Sequence, residues 1–218
     1  MLNPGLFKGL RAPGKGLLLY GPPGTGKTLI GKCISTEANA TFFGISASTF
    51  GSKWFGDAEK IAKVLFQCAR ALQPAIIFID EVDAILSKRK DIDGGCSTRL
   101  KNELLSNMDG VGTNSEDNVW VIGATNRPHQ IDDAARRRFT KRVYVPLPDK
   151  EGREEIVLSL LAGEKHSLSG KDISTIAAAA DGYSGADLKV VLQNAAMEPV
   201  RRLELSVEFA TSEDVSIC

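Results

Sequence analysis

Short apolar runs alternate with longer amphipathic segments between residues 17 and 145. A short apolar run that is bounded by turn residues is typical of a buried β-strand. The most continuous run, Ala75–Ile79, suits a strand that is covered on both faces. The pattern predicts strands at Leu17–Tyr20, Thr41–Ile45, Ala75–Ile79, Val119–Ile122 and Arg142–Val145.

The segments between these runs have the spacing of amphipathic helices. In Asp57–Gln73, apolar residues recur on one helical face, and Pro74 ends the pattern. Helices are also predicted over Leu29–Ala38 and over Ser97–Met108, the second ending before Gly110. Strands that alternate with helices predict an α/β fold, with a parallel sheet and helices on both of its faces.

The pattern changes after residue 148, where only helical segments follow. They are Glu151–Leu161, Asp172–Ala180 and Ser184–Glu198, and Ser184 with Asp187 resembles a capping box at the start of the last one. We therefore predict a large α/β subdomain over residues 1–148, a small helical lid subdomain over 149–203 and an irregular tail over 204–218.

Composition narrows the class of protein further. The 218 residues are 43% hydrophobic and 25% charged, which is ordinary for a globular protein. Lys+Arg and Asp+Glu both number 27, so the net charge gives no argument for nucleic acid or an anionic membrane as a partner. The four scattered cysteines favour a reducing compartment. Without a secretory signal or an apolar run that could span a bilayer, we expect the cytoplasm or the nucleus.

The first strand leads into a glycine-rich turn, Gly21–Thr28, that fits the phosphate-binding loop pattern. Its glycines let the backbone curl so that N–H groups face phosphate oxygens, and the N-terminus of the next helix adds positive potential. Lys27 is predicted to reach the β- and γ-phosphates, and the Thr28 hydroxyl to bind Mg²⁺. A glycine-rich turn without a ligand is the alternative, which the strand–loop–helix context disfavours.

Two carboxylates, Asp80 and Glu81, follow the most apolar strand. Ligands of open α/β sheets bind beyond the carboxyl ends of the strands. Asp80 is therefore predicted to bind Mg²⁺ through water, opposite Thr28, and Glu81 to polarise the water that attacks the γ-phosphate. The alternative is a solvated turn at the end of a strand.

Two polar groups later in the chain each allow two interpretations. Asn126, at the end of the fourth strand, either hydrogen-bonds the attacking water or the γ-phosphate, or belongs to a plain turn. Arg136, Arg137 and Arg138, before the last strand, form a solvated or polyanion-binding surface, or they are arginine fingers. Fingers would reach the nucleotide of a neighbouring subunit and therefore require an oligomer.

Lys53, Trp54 and Phe55 place a cation and two large aromatic side chains in a predicted loop. These residues either form a hydrophobic staple at the start of the next helix or an exposed loop that grips a partner chain. Periodicity does not distinguish the two.

Taken together, these blocks resemble the AAA ATPases, and among them the microtubule-severing branch that contains spastin, katanin and fidgetin. The resemblance covers residues 3–203. Thr28–Ile34, Ala40–Ser48 and Ile131–Phe139 look most like fidgetin-like proteins, with spastin second. The motifs are GPPGTGKT at Gly21–Thr28, SKWFGDAEK at Ser52–Lys60, IIFIDEVD at Ile76–Asp83, GATNRP at Gly123–Pro128, RRRFTKRVYVPLPD at Arg136–Asp149 and DGYSGADL at Asp181–Leu188.

The resemblance implies a role for each matching residue. It makes Lys27 and Thr28 the Walker A pair, Asp80 and Glu81 the Walker B pair, and Asn126 the sensor. The other nucleotide contacts that it implies are Gly21, Pro23, Gly24, Thr25, Gly26, Leu29, Gly185 and Ala186.

The resemblance also implies an assembly. Arg137 and Arg138 are the arginine fingers, and Lys53–Phe55 is the first pore loop of a hexamer. The second pore loop, residues 93–99, departs from the family because it keeps only Arg99 of an arginine pair. A segment before residue 1 and the C-terminal helix of the family are expected to be missing.

The implied function is ATP hydrolysis with Mg²⁺ by a homohexamer that pulls tubulin tails through its pore and severs microtubules, in the cytoplasm with the cytoskeleton. One alternative is a AAA ATPase that disassembles ESCRT polymers or remodels recombinase filaments. The other is a truncated, non-catalytic nucleotide-binding module, which an ATPase assay across protein concentration would identify.

Overall fold

The computed structural model describes residues 14–46, 58–87, 95–113 and 117–206. The described residues up to Gly21, together with those from Lys27 to Val145, form one compact unit. The loop Pro22–Gly26 and the described residues from Pro146 onward form a second unit. The division at residue 146 falls just before residue 149, where the sequence places the start of the helical lid.

Parallel strands build the sheet of the first unit. In the described part of the chain they are β1 (Gly16–Tyr20), β2 (Thr41–Ser46), β3 (Ala75–Asp80), β4 (Val119–Thr125) and β5 (Lys141–Tyr144). Their order is β2-β3-β4-β1-β5, and every neighbouring pair is parallel. The predicted parallel sheet is therefore confirmed, and β4 lies between the strands that carry the phosphate loop and the two carboxylates.

Helices accompany the sheet within the same unit. Among the described residues they are α1 (Lys27–Glu37), α2 (Ala58–Ala71), α3 (Asp83–Leu86), α4 (Gly95–Thr113) and α5 (Asp133–Arg138). A 3₁₀ turn at Pro128–Gln130 precedes α5.

Successive side chains of β3 point to opposite faces of the sheet. On one face, Ile77 belongs to a core that contains Phe66 of α2 and Leu104 of α4. On the other face, Phe78 belongs to a core against which Ile34 of α1 packs. Helices thus cover both faces, as predicted, which explains why β3 is a continuous apolar run rather than an alternating one.

Helix α4 is longer than its sequence pattern indicates. The predicted end before Gly110 is wrong, because the helix continues to Thr113. Leu104, Met108 and Val111 continue the helical apolar spacing, and all three are buried. Their burial offsets the cost of about 1 kcal/mol for a glycine inside a helix.

The second unit is helical. Its described helices are α6 (Lys150–Leu161), α7 (Gly170–Ala179) and α8 (Gly185–Ser206). Buried side chains from all three, including Val157, Ile173 and Leu188, form a separate core. The sequence predicts an irregular tail from residue 204, but helix α8 continues to Ser206. Residues 207–218 of the predicted tail lie outside the described residues. No described helix combines the length and the apolar character needed to cross a bilayer.

Helix α8 begins with the predicted capping box. The Ser184 backbone N–H donates to Asp187 Oδ2 at 2.9 Å, and the Asp187 N–H donates to Ser184 Oγ at 3.3 Å. The Ser184 hydroxyl also donates to the carboxylate at 2.6 Å. These hydrogen bonds lower the pKa of Asp187, because they stabilise its charged form.

We expect Ser184→Ala to lower the free energy of unfolding by about 1 kcal/mol, because the first turn of α8 loses its side-chain acceptor. Urea unfolding followed by circular dichroism measures the change. Ser184→Gly is the control, since glycine at this position costs only a few tenths of a kcal/mol. Equal midpoints for the alanine variant and the wild type would contradict the capping role.

Candidate functional site

Lys27 begins α1 directly after the phosphate loop. Its ammonium donates to the Gly21 carbonyl at 3.1 Å, and the residue is only 8% exposed. Burial lowers the pKa of Lys27, and the nearby negative charge of Asp80 opposes this shift. A buried cation at the positive end of a helix suits a phosphate group.

The loop Pro22–Gly26 is held within the second unit. Gly24 and Gly26 have φ angles of +73° and +84°, in the left-handed region that favours glycine. The Gly24 carbonyl accepts a hydrogen bond from Ala186 N–H at 3.3 Å, and a Cβ on Gly24 would lie 2.4 Å from Ser184 Oγ. The structure therefore brings Gly24 of the loop together with Gly185–Ala186, two segments that the sequence assigned to the same nucleotide.

Other predicted nucleotide contacts lie in or next to this loop. The Thr25 hydroxyl donates to the Pro22 carbonyl at 3.0 Å, which closes the turn on itself. Pro23 and Leu29 are exposed, Leu29 by 64%, so neither side chain belongs to the core. An exposed leucine in the first turn of α1 is available for contact with a bound ligand.

Thr28 and Asp80 meet across the carboxyl edge of the sheet. The Thr28 hydroxyl donates to Asp80 Oδ2 at 2.8 Å, although 52 residues separate them in the chain. The other carboxylate oxygen, Oδ1, accepts the Glu81 backbone N–H at 2.9 Å. A hydroxyl beside a carboxylate is a donor set that fits Mg²⁺, which keeps water and substrate phosphates as its other ligands.

Binding of Mg²⁺ by Thr28 and Asp80 does not require a larger cluster of protein ligands. Over the described ranges, 14–46, 58–87, 95–113 and 117–206, no group of three or more His, Cys, Asp or Glu side chains could hold a metal ion. A magnesium site of this class uses few protein ligands because phosphate oxygens and water complete its coordination.

Glu81 adopts a backbone conformation that is uncommon for its residue type. Its φ is +51°, in the left-handed region, and its side chain is exposed. Val82 N–H donates to the Ala124 carbonyl at 3.0 Å, so β4 fixes the turn that follows β3. Such a conformation costs of order 1–3 kcal/mol and is typical of functional sites. The turn presents the Glu81 carboxylate beyond the edge of the sheet.

Asn126 follows the last residue of β4 and is exposed. The residue before it, Thr125, is buried and donates to Asp83 Oδ1 at 2.6 Å, and its Oγ1 accepts the Arg127 N–H at 2.9 Å. Because β4 lies between β3 and β1, Asn126 leaves the sheet between the carboxylates and the end of β1. This position favours the interpretation of Asn126 as a ligand-facing residue over a plain turn.

The three adjacent arginines end the short helix α5, before β5. Asp132 caps this helix by accepting the Ala134 N–H at 2.7 Å. Arg137 is exposed, whereas Arg138 is half-buried and paired with Asp109. The two predicted fingers therefore have different environments.

Both predicted pore loops lie wholly or partly outside the described residues. Lys53, Trp54 and Phe55 fall within residues 47–57, which the structure does not describe, so the first pore loop stays a prediction. Of the second, residues 93 and 94 are outside, and Gly95 to Arg99 form the first turns of α4.

Sequence reasoning missed the residues that support the site. Asp83 and Thr125 fix the ends of β3 and β4 to each other across 42 residues of chain. Lys101 and Asp109 of α4 bind the two ends of α5. A pairing between distant positions leaves no local pattern, although the aspartate before α5 is a recognisable capping signal.

Comparison with known proteins agrees with this geometry. The family described as "ATPase family associated with various cellular activities (AAA)" matches residues 17–147, and the "AAA+ lid domain" matches residues 170–214. Fidgetin-like protein 1 of Xenopus laevis is 51% identical over 216 residues, 99% of this chain and 33% of that protein. Spastin of Dictyostelium discoideum is 48% identical over 216 residues, again 99% of this chain and 33% of that protein. The chain thus spans about a third of these relatives' length.

Solved structures are similar as well. A crystal structure of the FIGL-1 AAA domain in complex with ADP has a TM-score of 0.89 and 46% identity, over 98% of this chain and 71% of that one. A structure described as the structural basis for katanin self-assembly has a TM-score of 0.80 and 40% identity, over 96% and 68%. Together with the phosphate loop, the paired carboxylates and the helical second unit, these similarities show that the chain belongs to the AAA family of ATPases.

Proposed function

We propose that this chain hydrolyses ATP as part of a homohexamer that severs microtubules by pulling tubulin tails through its pore. Its relatives support the coarser statement that it is a AAA remodelling ATPase of the severing branch. The observation that supports hydrolysis is the hydrogen bond from Thr28, in the first turn of α1, to Asp80, the residue before Glu81.

The described residues supply the parts that hydrolysis needs. In the reaction, a bond forms between a water oxygen and the γ-phosphorus, and the bond to the β,γ-bridging oxygen breaks as ADP leaves. Lys27 neutralises phosphate charge, Glu81 accepts the proton of the attacking water, and the Asn126 amide orients that water. Thr28 and, through water, Asp80 would bind Mg²⁺, which would neutralise charge on the β- and γ-phosphate oxygens.

Assembly would complete the site with an arginine from a neighbouring copy of the chain. Arg137 is an exposed residue at the end of α5, and a guanidinium that enters the partner's site stabilises charge in the transition state. The likeness to a katanin structure concerned with self-assembly supports an oligomer.

The choice of microtubules rests on similarity to spastin and katanin and on the predicted aromatic pore loop Lys53–Phe55. Tubulin as the substrate implies a place in the cytoplasm with the cytoskeleton. An ESCRT polymer or a recombinase filament would use the same hydrolytic residues.

Two measurements test this proposal. The ATPase rate per subunit should rise with protein concentration, because each site needs a neighbour. Fluorescent stabilised microtubules should then be cut in the presence of ATP but not of a non-hydrolysable analogue. A rate that stays at background at high concentration would identify a non-catalytic module. If the rate rises with protein concentration but the microtubules stay intact, microtubules are not the substrate. An ESCRT polymer or a recombinase filament is then the substrate to test.

We expect Lys27→Ala to weaken nucleotide binding about 10- to 100-fold, the range for a lost hydrogen bond to a charged group. Titration with a fluorescent ADP analogue measures the change. Lys32→Ala is the matched control, since Lys32 is an exposed lysine of the same helix. Equal affinity of the two variants would contradict the assignment of Lys27 to the phosphates.

A further inference from the structure

We infer that Thr125 and Asp83 are positioning residues for hydrolysis. Their hydrogen bond holds Glu81 beside Asn126, at the place where the sheet no longer pairs β3 with β4. This inference rests on the proposed function, because that function assigns Glu81 and Asn126 to the same attacking water. Thr125 and Asp83 act through these two residues and not by contact with the nucleotide.

The parallel pairing of β3 with β4 stops before the residues that carry the chemistry. Its last pair is Ile79 with Gly123. Glu81 lies two residues beyond that pair along one strand, and Asn126 lies three residues beyond it along the other. The φ of +51° at Glu81 turns the chain out of the extended conformation that a strand requires. Other contacts therefore fix the distance between the two side chains.

Two hydrogen bonds take over beyond the last pair. Val82 N–H donates to the Ala124 carbonyl at 3.0 Å, and the Thr125 hydroxyl donates to Asp83 Oδ1 at 2.6 Å. They join the two residues that follow Glu81 to the last two residues of β4. A hydroxyl that donates to a carboxylate forms a short and comparatively strong hydrogen bond. The turn that carries Glu81 is thus attached to the end of β4.

Thr125 is itself held from two other directions. Toward β1, its carbonyl accepts the Gly21 N–H at 3.3 Å, where the phosphate loop begins. Its Oγ1 also accepts the Arg127 N–H at 2.9 Å, which fixes the backbone on the far side of Asn126. Thr125 is only 1% exposed, and a hydrogen bond in such surroundings is stronger than one in water. One buried residue therefore joins the turn of Glu81 to the segment of Asn126.

This connection matters because a general base acts only within hydrogen-bonding reach of the proton that it removes. Glu81 accepts a proton from the same water that the Asn126 amide orients, so the two side chains have to keep a fixed separation. A displacement of about 1 Å can lower a rate about 100-fold. The hydrogen bond between Thr125 and Asp83 maintains that separation.

We expect Thr125→Val to lower kcat about 100-fold at saturating ATP, with unchanged affinity for a fluorescent ADP analogue. Valine has nearly the shape of threonine but no hydroxyl, so it removes the bond to Asp83. Thr125→Ser, which keeps the hydroxyl, should recover most of the rate. Thr41→Val is the matched control, because the Thr41 hydroxyl donates to the Leu72 carbonyl at 3.0 Å at the start of β2, the opposite edge of the sheet. A Thr125→Val chain with the kcat of this control would overturn the inference.

Asp83→Ala removes the same hydrogen bond from its other side. It leaves the bond between Thr125 and the Arg127 N–H in place, so an equal loss of kcat assigns the effect to the contact with Asp83. Because Asp83 is only half-buried, this variant also tests the inference if Thr125→Val does not fold. The double variant should lose no more than either single variant, since both substitutions remove one interaction. Losses that multiply would contradict a shared hydrogen bond.

A second background separates positioning from a general loss of structure. In a Glu81→Gln chain the proton acceptor is already absent, so adding Thr125→Val should cause no further loss in single-turnover hydrolysis. A structural defect would instead lower the rate by the same factor in both backgrounds. That result would show that Thr125 does not act through Glu81.

The same data distinguish failure of this inference from failure of the proposed function. If the wild-type chain hydrolyses no ATP at any concentration, both are wrong. If Glu81→Gln hydrolyses ATP at the wild-type rate, Glu81 is not the base, and the positioning role is wrong with it. If Glu81→Gln abolishes hydrolysis while Thr125→Val and Asp83→Ala keep the wild-type kcat, only the positioning role is wrong.

Discussion

Replacing Glu81 with glutamine is expected to lower kcat about 10²- to 10⁴-fold while nucleotide affinity stays close to that of the wild type. The amide has nearly the shape of the carboxylate but cannot accept a proton from the attacking water. The Glu81 backbone N–H still donates to Asp80, so the turn and the contact between Asp80 and Thr28 are preserved. The loss should therefore fall on the chemical step.

Single-turnover hydrolysis and ADP-analogue binding measure the two quantities separately. Lys27→Ala provides the contrast, because it should weaken binding, whereas Glu81→Gln should leave binding intact. A Glu81→Gln chain that hydrolyses ATP at the wild-type rate would show that another group activates the water.

The left-handed backbone at Glu81 explains why this residue is well suited to the task. A glutamate at φ +51° is held there by hydrogen bonds on both sides, from its own N–H to Asp80 and from Val82 N–H to the Ala124 carbonyl. This backbone conformation sets the direction in which the side chain leaves the sheet, and its cost is typical of functional sites. The sequence shows the carboxylate but not this conformation.

Features that depend on local chemistry could be predicted from the sequence. The phosphate loop, the parallel strands and the Ser184–Asp187 capping box each arise from neighbouring residues, and the structure contains all three. The carboxylates Asp80 and Glu81 could be placed because the end of a buried strand is readable from its apolar run.

Features that depend on distant contacts could not be predicted. Helix α4 continues past Gly110 because the burial of Val111 stabilises its last turn. That burial depends on tertiary packing, which the local sequence does not show. Helix α5 is too short to have a periodicity of its own, and its ends are held by Lys101 and Asp109. The difference between Arg137 and Arg138 follows from these contacts, so a motif of three identical residues could not reveal it.

Replacing Arg137 with alanine is expected to have the largest effect of all, a fall of about 10³- to 10⁵-fold in kcat, the range for arginine fingers. Arg137 is exposed at the end of α5, so truncation removes no core contact, and stability should be unchanged. Nucleotide affinity should also persist, since Lys27 and Thr28 belong to the other partner of the shared site.

The ATPase rate across protein concentration measures this loss. Arg136→Ala is the control, since the Arg136 side chain pairs with the exposed Asp133 on the same helix. The wild type and the control should gain activity as copies associate, whereas Arg137→Ala should remain near background at every concentration. An Arg137→Ala chain that gains activity with concentration as the wild type does would show that a group other than Arg137 completes the site between copies.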